Sequence, residues 1–378
     1  MYKTLLATAL VARCFNAHKS DDDDDYKKKF YDEKNHSEES RNDLRIGVFS
    51  DLHLNLRYDR YFDRRPNRLG DCWPTSGEMS DVSAPLGRYF CDPPMELIDV
   101  MLDEFVKAHG EQDVIFLTGD YTGQHMALDP EEWFGEKADE GAEDTYPFLL
   151  AIHSKLVSIL GDKFPRALII PAFGNNDTMY HDNPIPLEDE YRFFAYIYTQ
   201  WFDLLPGNRD QLYDQREDIK ETFMKGGYYR VDINDRVSVL VLNSLFFAEE
   251  RHPDWIDTGS RGADLFKWLE DQLSDDSNRK FIITSHIYPG IRYNAKEEQG
   301  EQLWDTENTE TYFKLLEEYK DRVLIELGGH DHFTSLRTHE SDSGGYFHNI
   351  AITAGISPRY SNNPGVTSFE ITDDLVPH

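Results

Sequence analysis

Val114-Ile115-Phe116-Leu117 is an unbroken apolar run that stops at Thr118-Gly119-Asp120. Such a run reads as a strand buried on both faces of a largely parallel sheet. Glycine allows a sharp turn, and the aspartate falls at the strand's carboxyl end, where open α/β sheets place their ligands. A single aspartate opening a loop would mean little. Four other strand-like runs, however, break off in the same way. Leu44–Ser50 empties into Asp51-Leu52-His53, Ala167–Phe173 into Gly174-Asn175-Asn176-Asp177, Phe281–Thr284 into Ser285-His286, and Val323–Leu327 into Gly328-Gly329-His330-Asp331-His332. A chain with this pattern is constrained to an α/β fold whose strand ends meet at one place.

The connecting segments read as helices. In 93–110, Pro93 and Pro94 suit a first turn, Ile98, Met101, Leu102, Phe105 and Val106 share one face, and Gly110 is a stop. Residues 146–164, 187–225, a stretch marked by Leu265, Trp268, Leu269 and Leu273, and another marked by Tyr312, Leu315, Leu316 and Tyr319 are the remaining helical segments. Gly227–Asn243 reads as a hairpin turning at Asn234-Asp235, and 347–354 and 366–372 read as closing strands. Residues 54–92 are expected to be a long irregular loop and 127–145 an acidic insertion. No repeat or linker divides 44–378, which is expected to be one domain.

Asp51, His53, Asp120, Asn175, His286, His330 and His332 are the groups at the strand ends. Any one of these histidines, taken alone, reads as a satisfied core or surface residue. Together, hard oxygens mixed with imidazoles suit Zn²⁺, Mn²⁺ or Fe rather than Ca²⁺ or Mg²⁺. Seven ligands are too many for one tetrahedral zinc and suit two metals sharing a carboxylate. In Asp51-x-His53, alternate residues of an extended segment are expected to point the same way.

Charge and targeting narrow the setting. With 71 acidic against 39 basic residues the net charge is −32, which argues against a nucleic-acid polymer or an anionic membrane as partner. Residues 1–17 read as a secretory signal, with Lys3 before an apolar Leu5–Ala12 and a small-residue cut at Asn16-Ala17. Residues 18–43 read as a flexible charged tail, and no later run is long enough to span a bilayer. The product is expected outside the cell or in the lumen of the secretory-lysosomal route. There Cys72 and Cys91 form one disulfide or remain two buried thiols. Asn35-His36-Ser37 is an exposed N-glycosylation sequon, whereas Asn176-Asp177-Thr178 is a formal one expected to be folded away.

The blocks Asp51-x-His53, Gly119-Asp120, Gly174-Asn175-x-Asp177, His286 and Gly329-His330-x-His332 resemble the calcineurin-like metallophosphoesterases. Tyr89-Phe90-Cys91-Asp92-Pro93-Pro94, Gly226-Gly227-Tyr228-Tyr229, Ser285-His286-Ile287-Tyr288-Pro289-Gly290 and Asn362-Asn363-Pro364-Gly365 are similar to the acid sphingomyelinase-like phosphodiesterases within that family. The resemblance covers roughly 44–370 and implies an α/β fold with a central β-sandwich flanked by helices. It also implies two divalent metals, zinc before manganese or iron, with a bridging hydroxide that attacks phosphorus. One metal would take Asp51, His53, Asp120 and His332, the other Asp120, Asn175, His286 and His330. The Cys72–Cys91 pairing matches a disulfide the family places in this loop. Expected substrates are small phosphodiesters, nucleotides or lipid head groups.

Two positions depart from the family. Asn176 stands where a catalytic histidine follows the ligand asparagine; an amide can hydrogen-bond a phosphate but cannot deliver a proton. Gln124 stands four residues after Asp120, where a second acid-base histidine is expected, and His125 one residue on becomes the candidate general acid. Loss of the histidine at Asn176 also motivates an alternative, a catalytically impaired, metal-stabilised binding module. A phosphomonoesterase would differ only in pocket shape.

Overall fold

The computed structural model describes residues 43–377, apart from 66–71, 75–76, 125–137, 179, 252–257, 276–277, 295–298 and 342–343. The chain forms β1 (Leu44–Phe49), β2 (Phe62–Arg64), β3 (Gly77–Met79), α1 (Met95–His109), β4 (Val114–Leu117), α2 (Ala138–Lys163) and β5 (Leu168–Pro171). Three helices follow, α3 (Leu187–Tyr198), α4 (Pro206–Gln211) and α5 (Arg216–Gly226), then the hairpin β6 (Tyr229–Asp232) and β7 (Val237–Val241). The rest is α6 (Thr258–Leu273), β8 (Lys280–Thr284), β9 (Ile291–Asn294), β10 (Gln299–Gln302), α7 (Thr306–Glu318), β11 (Val323–Gly328), β12 (Ser335–Glu340), β13 (Tyr346–Ile352) and β14 (Thr367–Ile371).

Two sheets form the core. One has the order β14-β1-β4-β5, with β1, β4 and β5 parallel and β14 antiparallel at the edge. The other runs β12-β13-β11-β8-β7-β6, parallel from β13 to β7 and antiparallel at both edges. Alternation along the strands shows how they stack. Val239, Val241 and Ile282 share a core with Ile46, Val48 and Ile115 of the first sheet. Leu240, Phe281 and Ile283, on the opposite face, pack with Leu265 and Leu269 of α6 and Tyr312 and Leu316 of α7. The result is the expected sandwich flanked by helices. Strands covered on both faces need no polar side, which is why their sequences are continuous apolar runs.

Several expectations are corrected. The helix expected over 146–164 begins at Ala138, inside the expected acidic insertion, despite Pro147 within it. An interior proline costs about 3 kcal/mol. Burial of Leu149, Ile152, Leu156 and Leu160 at roughly 1.5–3 kcal/mol each outweighs it. The 187–225 stretch is helical but broken, with a wide turn at Thr199–Leu204 between α3 and α4. The loop at 54–92 contains the short β2–β3 pair, and β9, β10 and β12 were not anticipated. Gly110 ends α1 as expected, at φ 70° with its N–H on the Val106 carbonyl.

Cys72 and Cys91 are bonded, with Cα atoms 5.9 Å apart and both residues buried. Closing a loop of 19 residues in this way contributes about 3 kcal/mol and ties the β2–β3 segment to the start of α1. Asn176, Asp177 and Thr178 are all buried, so that sequon is folded away. Residues 1–42, with the expected signal, tail and Asn35 sequon, lie outside the described residues. No described helix is long and apolar enough to cross a membrane.

Candidate metal centre

The carboxyl ends of β1, β4, β5, β8 and β11 all face one buried pocket. Five of its residues have a left-handed backbone: Asp51 (φ 49°), His53 (42°), Asp120 (57°), His330 (75°) and His332 (60°). Non-glycine residues rarely adopt this conformation, and such strain gathers at functional sites. The convergence of Asp51 and His53 therefore does not come from an extended segment, as the sequence spacing suggested. The chain instead turns left-handed at both residues, tied down by Asp51 N–H to the Gly119 carbonyl (3.1 Å) and His53 N–H to the Asp120 carbonyl (2.9 Å). The neighbouring glycines allow the loops to touch. A Cβ on Gly119 would stand 2.7 Å from the Gly174 nitrogen and 2.8 Å from His286 Nδ1.

All seven expected groups meet in this pocket. His332 Nε2 is 3.5 Å from Asp51 Oδ1 and 3.1 Å from His53 Nε2. Asp120 Oδ2 lies 3.3 Å from His53 Nε2 and 3.3 Å from His286 Nε2. Asn175 Oδ1 is 3.0 Å from His286 Nε2 and 3.1 Å from His330 Nδ1. Two overlapping donor sets, Asp51/His53/His332 and Asp51/Asp120/His286, are each compact enough to hold a metal ion.

Hydrogen bonds fix which ring atom faces the pocket. The Nδ1 atoms of His53, His286 and His332 face the carbonyls of Thr122 (3.0 Å), Thr118 (2.7 Å) and Ser357 (3.3 Å). A carbonyl only accepts, so each Nδ1 carries a proton. On the neutral rings of His53 and His332, Nε2 then presents a lone pair inward, as a metal ligand must. His286 Nε2, between the acceptor oxygens of Asn175 and Asp120, also carries a proton, which ligation would displace. The close approach of two such nitrogens, on His53 and His332, suits a shared cation. His330 is different. Its Nε2 faces Arg292 Nη1 at 3.1 Å, and a guanidinium only donates, so Nδ1 carries a proton directed at Asn175. Ligation through that Nδ1 requires the proton to leave.

The electrostatics also ask for positive charge. Burial pushes His53 and His332 down to about 4, so both are neutral bases. Burial also raises the Asp51 carboxyl. Burial opposes the charge of Asp120, yet His286 and His53 hold it well below the usual carboxylate range. Burial likewise works against His286, but Asp120 beside it raises the imidazole to about 10. Two buried carboxylates with shifts of opposite sign, facing four imidazoles, form a donor set that a divalent cation would satisfy.

Sequence reasoning assigned no role to the residues that support this set. Asp177 accepts backbone N–H groups of Gly174 (2.7 Å), Asp120 (2.9 Å), Tyr121 (2.6 Å) and Thr122 (3.3 Å), locking two ligand loops together. Ser50 Oγ donates to Asp51 Oδ2 at 2.5 Å. Asp182 Oδ1 accepts from Asn175 Nδ2 at 2.8 Å. Glu301 grips Arg292 through two bonds of 2.8 and 3.0 Å. A carboxylate two residues after the Gly-Asn pair was visible at Asp177, but the remaining partners carry no sequence signal. Asn176 is turned onto Asp120, donating from its backbone to Oδ1 (2.9 Å) and from Nδ2 to Oδ2 (2.8 Å), with Oδ1 of Asn176 buried and unpartnered. Gln124 donates to the Tyr360 hydroxyl at 2.5 Å, and that ring stacks edge-on to His332. His125 lies outside the described residues.

A two-sheet sandwich that gathers carboxylates, an amide and imidazoles at its strand ends, with the His53 and His332 lone pairs turned inward, defines a metallophosphoesterase. Residues 44–333 match the model of the calcineurin-like phosphoesterases, and the chain belongs to that family. It is 27% identical to acid sphingomyelinase-like phosphodiesterase 3b of Mus musculus over 86% of this chain and 67% of that protein. It is 23% identical to the cyclic GMP-AMP phosphodiesterase SMPDL3A of Homo sapiens, again over 86% and 67%. The chain thus spans about two thirds of the length of these relatives. A dimetal phosphatase from Danio rerio aligns with a TM-score of 0.47 and 12% identity, over 87% of this chain and 93% of that one. The resemblance to acid sphingomyelinase-like phosphodiesterases is thereby borne out.

Proposed function

We propose that this protein is a secreted phosphodiesterase that hydrolyses small phosphodiesters, such as nucleotide or lipid head-group esters, at a centre of two divalent metals. Residues 44–378 would form its catalytic unit. The observation that carries the reading is Asp120 Oδ2, equidistant at 3.3 Å from His53 and His286. One metal would be held by Asp51, His53, Asp120 and His332, the second by Asp120, Asn175, His286 and His330. The mixed oxygen and imidazole set favours zinc, with manganese and iron the alternatives. When bound, the metals lower the pKa of a water and offset the charge that builds on the phosphoryl oxygens.

The chain's own groups do the rest. Asn176 orients Asp120 through two donated bonds, and Asp177 fixes the loops so that both halves keep their spacing. Arg292, half-buried at the edge of the pocket, adds a cation beside which an anionic ester can settle. An acidic protein surface disfavours polyanions, which agrees with a small substrate.

The test is hydrolysis of a chromogenic phosphodiester at pH 5 and pH 7.5 with zinc or manganese, with Asp120→Asn alongside. Turnover above that variant, with two metals per chain by elemental analysis, supports the reading. Two bound metals without turnover on any phosphodiester or phosphomonoester would replace it with the binding module that Asn176 suggests.

A further inference from the structure

The two positions where the resemblance calls for acid-base histidines are occupied by amides with other tasks. Asn176 is spent on Asp120 through its backbone N–H and its Nδ2, and Gln124 on the Tyr360 hydroxyl. Departure of an alkoxide still needs a proton. His181, outside the ligand set, is wired to the pocket through its neighbour. His181 Nδ1 lies 2.8 Å from Asp182 Oδ2, and the other oxygen of that carboxylate accepts from the amide of Asn175 at 2.8 Å. The Asp182 N–H closes the loop onto the Asn175 carbonyl at 3.0 Å, with Asp182 itself held left-handed at φ 62°. The His181 side chain is about one-third exposed, as a group that exchanges protons with both substrate and solvent must be.

On the phosphodiesterase reading above, we propose that His181, positioned by Asp182, is the general acid that protonates the leaving alcohol. The balance is simple. A water oxygen forms the new P–O bond and its proton passes to solvent. The old P–O bond breaks with its electron pair on the leaving oxygen, which takes the proton from His181 Nε2. The imidazole is reprotonated from solvent. With Nδ1 donating to Asp182, Nε2 is the atom left for this transfer. Burial works against a charged ring here, but Asp182 against Nδ1, with Asp120 and Glu250 beyond it, raises His181 above its ordinary value. These carboxylates favour the protonated ring. The same carboxylate holds both a candidate metal ligand and the proton donor, which fixes the spacing between them.

The experiment is a leaving-group series of aryl methyl phosphates from 4-nitrophenyl to phenyl, run on the metal-loaded wild type and on His181→Ala, His181→Asn and His125→Ala. An acidic phenol leaves unaided, whereas phenol itself needs the proton. Loss of His181 should slow the phenyl ester about a hundredfold and the 4-nitrophenyl ester only a few-fold, steepening the dependence on leaving-group pKa. His181→Asn keeps a donor for Asp182 but no transferable proton, and should show the same steepening. Metal content and melting temperature should stay at wild-type values in both variants, which separates proton transfer from collapse of the loop. Parallel slopes in wild type and His181 variants would overturn the assignment, as would steepening confined to His125→Ala. A wild type that turns over no member of the series would remove the phosphodiesterase reading itself, and His181's role with it.

Discussion

The two halves of the proposed metal centre are held by different means. Around Asp51, His53 and His332 the supports are the backbone carbonyls of Thr122 and Ser357 and the hydroxyl of Ser50. Around Asn175, His286 and His330 only His286 rests on a carbonyl, that of Thr118; the other two lean on the charged side chains of Asp182 and Arg292. A carbonyl inside a fold neither titrates nor disappears on substitution. Charged side chains do both. The first half is therefore built rigid and the second half adjustable, and the second metal should be the weaker one. Asp120 belongs to both halves, so it is where the comparison collapses. Asp120→Asn keeps the shape and removes the charge. It should cost several kcal/mol of transition-state stabilisation, about a thousandfold in turnover, with fewer than two metals retained. Both metals retained with activity within tenfold of wild type would mean that the halves do not share this carboxylate.

The adjustable half also has a titratable backing. His153 of α2 is buried against Tyr121, Phe193 and Trp201, with Nε2 3.5 Å from the Asp177 carbonyl in the loop that carries Asn175. Burial lowers its pKa to about 4. In the unfolded chain the ring titrates near 6.5, so between these values the unfolded state binds more protons. The stability this neutral ring lends is full above pH 6.5 and is lost as pH falls toward 4, up to about 3 kcal/mol. Thermal melts at pH 7 and pH 4.5 should show His153→Phe losing less on acidification than wild type. Equal losses would place the acid-sensitive groups elsewhere, in the ligand histidines themselves.

The fold and the convergence of the seven candidate ligands are legible because both depend on strands. Val114–Leu117 and Leu168–Pro171 are buried on both faces, so their sequences are apolar throughout, and each ligand follows such a run directly. Elements with no such signature were missed. In β12, residues Ser335–Glu340 are largely exposed or half-buried at a sheet edge and read as loop. The left-handed turns at Asp51 and His53 are invisible to period-based reasoning, which reached the right convergence through the wrong geometry. Asp182 and Arg292 act across long separations, seven residues from Asn175 and 38 from His330, and nothing local marks them.

Asp182 offers the next sharpest test of the rigid and adjustable halves. Removing a partner that orients a ligand typically costs 10–100-fold in metal affinity. Asp182→Ala should weaken one metal by about that factor and leave the other unchanged in a competition titration with a chelator. Ser50→Ala, on the rigid side, should change neither by more than a few-fold, because Asp51 also accepts the His330 N–H at 3.2 Å. Equal loss of both metals from Asp182→Ala would erase the distinction.

The smallest effect expected is also the most diagnostic. Arg292 is gripped by Glu301, lies 3.7 Å from Asp331 and 4.0 Å from Glu250, and keeps about a quarter of its side chain exposed, so solvent and three carboxylates screen much of its charge. If it acts on the anionic ester, Arg292→Gln should raise KM about threefold and flatten the salt dependence of kcat/KM, with kcat near wild type. If instead its task is to pin His330, KM will hold while kcat and the second metal fall together. The second outcome agrees with a half whose ligands are set by charged neighbours. The first would mean that His330 keeps its place without Arg292, and that the adjustability of this half rests on Asp182 alone.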